Sequence, residues 1–72
     1  MTNYLLLEDK IRQSGKKKGY LAEKLGLSRQ GFRNCCRNVS EFTTGQVKIL
    51  CEELNINSLK ERQAIFFAQD VA

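Results

Sequence analysis

Ser28, Arg29, Gln30, Arg33, Asn34 and Arg37 stand close together in the sequence, and their side chains are of the types that recognise other molecules by paired hydrogen bonds. An arginine fork matches the two acceptors on the edge of a guanine. The carboxamides of Gln and Asn match the acceptor and donor of an adenine. The same arginines bind carboxylates in fixed planar geometry. Just upstream lies a run of three lysines, Lys16, Lys17 and Lys18, between Ser14-Gly15 and Gly19. Ammonium groups on flexible stems suit phosphate oxygens and carry no sequence information. Lys17 and Lys18 therefore join the candidate contacts, the plain alternative being a loop that only confers solubility.

These side chains need elements to hold them. Phe32, Cys35 and Cys36 recur at i, i+3 and i+4, which gives a helix over residues 28–38 one apolar face. Arg29, Gln30, Arg33, Asn34 and Arg37 are then left facing outward, and Ser28 is placed to cap the helix with its hydroxyl. A shorter helical pattern precedes it, with Leu21, Ala22 and Leu25 on one face. Gly26 stands where that helix must stop, because glycine accepts the left-handed conformation that a helix end often requires. Leu27 follows as a plug into the core, and the small Ala22 lets the two helices cross closely. Residues 19–37, GYLAEKLGLSRQGFRNCCR, thus read as a helix-turn-helix. Gly31 inside the second helix costs roughly 1 kcal/mol against alanine. It either allows the close approach of a partner backbone or is tolerated slack.

The spacing of Ala22, Gly26, Phe32 and Cys35, together with the flanking words LGLSRQGF and EFTTGQVKILCEEL, resembles the small phage regulators of the Cro/CI (lambda-repressor-like) family. The resemblance runs over about residues 4–68 and is strongest to Cro-position regulators of temperate phages of Gram-positive bacteria, among them antirepressors of the modulator-of-repression type. It implies an all-α, five-helix domain with the helix-turn-helix at helices 2 and 3. It also implies major-groove contacts from Ser28, Arg29 and Gln30, with Arg33 and Asn34 a turn later. Finally, it implies two partners, operator DNA and the cognate CI-type repressor.

Composition agrees with a small regulator. A chain of 72 residues makes one domain with a modest core. There is no proline, and helix formers dominate. No apolar run approaches a membrane span, and the start lacks the features of a signal peptide, so cytoplasm is the expected location. Between Lys10 and Arg37 nine Lys/Arg face one acid, net +8, while the remainder has three against seven, net −4. Such a basic segment is the electrostatic footprint of an anionic partner, or else a solvated charged face. The helix-turn-helix at the same place favours the partner. Cys35, Cys36 and Cys51, without a histidine, fit neither a four-ligand zinc site nor a disulfide framework, and packing is the expected role. No metal, cofactor or small-molecule ligand is called for, and enzymatic activity is not expected.

The rest of the chain supplies the frame. A helix is predicted from residue 2 or 3 to Ser14, with Tyr4, Leu7 and Ile11 inward, at least one of Leu5 and Leu6 exposed, and Gly15 as its stop. Residues 39–42 are a loop with Phe42 under the bundle. Thr43-x-x-Gln46 is a capping box for a fourth helix with Val47, Leu50, Cys51 and Leu54 inward, Asn55 at its end and Ile56 as a plug. Ser58-x-x-Glu61 is a second box, opening a fifth helix with Leu59, Arg62, Ile65, Phe66 and Phe67. Ile65 and one phenylalanine close the core. The other either joins them, the favoured reading, or is exposed and serves self-association.

Two functions remain in play. One is an antirepressor that binds the cognate repressor and blocks or alters its operator binding. The other is a direct, sequence-specific DNA-binding repressor. An antitoxin shares the fold and ranks below both. A single helix-turn-helix reads one half-site, and a stable operator complex usually needs two. The antirepressor is therefore the leading expectation.

Overall fold

A computed structural model of the chain describes residues 1–68. Within them are five helices and no strand: α1 (Tyr4–Ser14), α2 (Lys18–Lys24), α3 (Arg29–Cys36), α4 (Thr44–Glu53) and α5 (Leu59–Phe66). None is long and apolar enough to cross a membrane. All five helices contribute to one core. Leu7 and Ile11 come from α1, Leu21 and Ala22 from α2, and Phe32 and Cys36 from α3. Val47, Leu50 and Cys51 of α4, with Ile65 and Phe66 of α5, complete it together with the interhelical Leu25, Leu54 and Ile56. Phe42 meets Phe32 and Phe66 edge-on, with ring centroids 5.9 and 6.0 Å away, so aromatic contacts fasten the loop after α3 in addition to the bonds from the Val39 and Ser40 N–H groups to the Asn34 carbonyl.

The helix ends explain the turns. Ser28 Oγ accepts from the Gly31 N–H at 3.0 Å and so starts α3. Thr43 and Gln46 form the complete reciprocal box at α4. At the end of α2, the Leu27 N–H bonds to the Ala22 carbonyl at 2.9 Å and the Gly26 N–H to that of Glu23, with Gly26 at φ +71°. This doubly bonded stop reverses the chain within three residues and sets α3 against α2. Asn38 (φ 64°) and Asn55 (φ 57°) close α3 and α4 in the same way, using the residue that tolerates the left-handed region after glycine. Asn38 does more: its carboxamide accepts from the Thr2 N–H at 2.8 Å and donates to the Thr2 carbonyl at 3.0 Å, tying the end of α3 to the start of the chain.

Several expectations need correction. Tyr4 is 41 % exposed and stands outside the core, because Leu7 and Ile11 already fill the inward face of α1. Leu5 and Leu6 are both exposed, which agrees with the expectation for at least one of them. Leu27 is only half-buried, lying over the edge of the core. Helix α3 starts at its expected cap, Ser28, but ends earlier than predicted, with Arg37 already leaving helical geometry. The second capping box is half made: Ser58 caps α5, but the Glu61 carboxylate turns away to Lys10 at 2.7 Å. Of the two phenylalanines, Phe66 is buried and Phe67 is 54 % exposed, against the favoured reading.

Cys35, Cys36 and Cys51 are free thiols and all buried. Burial pushes each above its usual pKa, Cys36 to about 11, so none is a ready thiolate at neutral pH. Cys51→Ser places a hydroxyl in a buried, mainly apolar site. It should lower stability by ~1–3 kcal/mol while leaving partner binding intact, which thermal melting and a binding titration on the same sample can check.

Candidate functional site

The cationic side chains converge on a cleft of about 530 Å³ between α1, the start of α2 and α3. Phe32 and Cys36 lie along it, and Lys17, Lys18, Arg29, Arg33 and Arg37 supply its charge. Its remaining walls are Tyr4, Glu8 and Gly19. Five of the eight predicted contacts are thus brought together. Gln30 is exposed on α3, and Ser28 at its cap, without lining the cleft. Asn34 is half-buried: its side-chain oxygen accepts from Gln30 Nε2 at 2.9 Å, and its backbone carbonyl closes α3. The two amides expected to face a partner separately are therefore bonded to each other, and a partner must open or share that bond.

Local geometry sets the directions of the rest. A Cβ on Gly19 would meet the Arg29 guanidinium at 3.2–3.3 Å. The arginine therefore folds back over the first turn of α2 and into the cleft, where the sequence alone places it outward. A Cβ on Gly31 would crowd Ser28 Oγ at 3.2 Å. The glycine that sequence reasoning left open thus keeps the cap of α3 uncrowded. Ser28 spends its acceptor on that cap, but its own proton remains available to a partner.

The lysine run, expected as a connecting loop before the second helix, is partly helical. Lys18 belongs to the first turn of α2 and pairs with Glu8 of α1. That contact closes Glu8 Oε1 off from solvent, and the ammonium holds the Glu8 carboxyl below its usual range. Lys16 donates to Glu53 Oε1 at 2.9 Å and to the Glu53 carbonyl at 2.7 Å. The Tyr20 hydroxyl donates to the same carboxylate oxygen at 3.0 Å. Among the described residues, Lys17, Arg29, Arg33 and Arg37 make no ion pair. Glu8 and Gly19 are the site residues that sequence reasoning missed. Glu8 stands ten positions before Lys18 on another helix, so no local pattern links them.

What this face can do is bind anions: its cations are exposed, lie over an apolar floor, and three of them are planar guanidinium groups suited to carboxylate or phosphate oxygens. Compared with known protein families, characterised proteins and solved structures, the chain has no significant match to any.

Proposed function

We propose that α2, the turn at residues 26–28 and α3 form a helix-turn-helix of the Cro/CI type, and that the chain regulates the lysis–lysogeny switch of a temperate phage. It binds the cognate CI-type repressor through the outward face of α3 and thereby lowers or alters that repressor's hold on its operator, in the cytoplasm of the bacterial host. The observation that carries this reading is the trio Arg29, Arg33 and Arg37 along one cleft, exposed and without ion pairs among the described residues. Arginines without an ion pair among the described residues are available to carboxylates of another protein. Masking the repressor needs no catalytic step, only a matched surface. The resemblance in residues 19–37 supplies the partner's identity.

Direct operator reading is the second possibility, favoured by Gln30, which is exposed on α3 and able to pair with adenine. Titrating the purified chain on switch-region DNA, with and without the cognate repressor, separates the two. The expected result is weak binding alone and a changed operator occupancy when both proteins are present. Tight operator-specific binding by the chain alone, with repressor occupancy unaffected, would transfer the function to the second reading.

A further inference from the structure

The lysine run is the most obvious phosphate-binding feature of the sequence, yet two of its three ammonium groups are held within the fold. Lys18 is paired with Glu8, among the described residues the only acid lining the cationic cleft. Lys16 is held by two acceptors of Glu53, and its ammonium also lies 5.9 Å from the centre of the Tyr20 ring, whose hydroxyl bonds the same carboxylate. The two acids come from different helices, α1 and α4, and converge on a single short segment from opposite sides in sequence. Lys17 between them makes no ion pair among the described residues.

We propose that Glu8 and Glu53 are specificity-determining residues that withdraw Lys18 and Lys16 from phosphate binding and so steer the cationic face away from duplex DNA. Each acid acts twice. While it is paired, its lysine neutralises no phosphate. If a phosphate displaces it, the carboxylate stays beside the newcomer and repels it. DNA affinity depends on the number of phosphates neutralised, because each releases bound counterions, so loss of two contacts weakens it most at low salt. The arginines of α3 are untouched by this arrangement and keep their capacity for carboxylates. The inference deepens the reading of α3 as a protein-binding face and rests on that face being an anion site.

The test uses the full chain and a random-sequence DNA duplex, titrated across a salt series, with circular dichroism melting as the folding control. Glu8→Gln and Glu53→Gln should each raise affinity several-fold and steepen the dependence of log affinity on log salt by about one, and the double variant by about two. Glu52→Gln removes the same charge from an exposed position of α4 that makes no ion pair among the described residues. It should leave the slope unchanged, which separates release of a lysine from a general change in net charge. Should Glu8→Gln fail to fold, replacing the whole Lys16–Glu53 pair by Gln carries the test: it leaves the net charge unchanged and should bind DNA as the unaltered chain does, whereas Lys17→Gln should bind more weakly with a shallower slope. Folded Glu→Gln variants with unaltered slopes, or a loss on replacing the pair equal to that of Lys17→Gln, would overturn this proposal alone. No DNA binding by the double variant even at low salt would overturn it together with the premise that the face binds anions.

Discussion

Arg33→Glu is expected to abolish co-purification with the cognate repressor while the circular dichroism spectrum stays that of the unaltered chain. Arg33 is exposed on α3 and lines the cleft together with Arg29 and Arg37. It makes no ion pair among the described residues, so none of these is broken by its removal. The folded state should therefore tolerate the change to within about 0.5 kcal/mol. Binding should not. Truncating a single arginine anchor at a protein interface commonly costs 2 kcal/mol or more, roughly thirtyfold in affinity. Reversal does more than truncation, because the new carboxylate repels the partner's acids. It also lies among Arg29, Arg37 and Lys17 and offers them an internal counter-ion, so the face loses more than one cation at once. Wild-type recovery of repressor by the folded variant would move the contact away from α3, to α1 or α5, where Leu5 and Leu59 stand exposed.

The parts of this molecule legible in its sequence are those governed by neighbours three or four positions apart. The apolar faces of α3 and α4, the stop at Gly26, the cap at Ser28 and the box at Thr43 and Gln46 all follow from such spacing, and the structure shows each of them. What escaped was set by contacts distant in sequence. Tyr4 shares its helical face with Leu7, but whether it is buried depends on what α2 and α3 put above it, and they put a cleft there. The Glu61 carboxylate pairs with Lys10 instead of closing its capping box, a competition invisible until α1 and α5 are side by side. Of the candidate site, the identity of the cations was readable and their availability was not. Lys18 and Lys17 look equivalent in sequence and differ in the fold because Glu8 reaches only one of them. Arg29 points into the cleft and passes close over Gly19, ten positions earlier, where the missing side chain leaves it room.

Leu50→Ala should produce the largest loss of stability of any single truncation on α4. The side chain has no solvent exposure, and it lies in the cluster that joins all five helices. Alanine there removes three carbons from contact and leaves a cavity whose walls, built from several helices, cannot all move in together. Truncations of this kind cost roughly 2–5 kcal/mol. A chain of 72 residues has a total stability of about 4–11 kcal/mol at the usual 0.05–0.15 kcal/mol per residue. The lower part of the first range already consumes a large share of the second. The melting temperature should fall by on the order of 10–30 °C, since each kcal/mol shifts a domain of this size by about 4–8 °C. The matched control is Leu5→Ala, the same truncation at a side chain 78 % exposed, which should melt within a few degrees of the unaltered chain. Both melts measured by circular dichroism at one protein concentration decide the matter. If the two leucine variants melt alike, the core does not run through α4, and the buried cluster assigned to Leu50 is wrong.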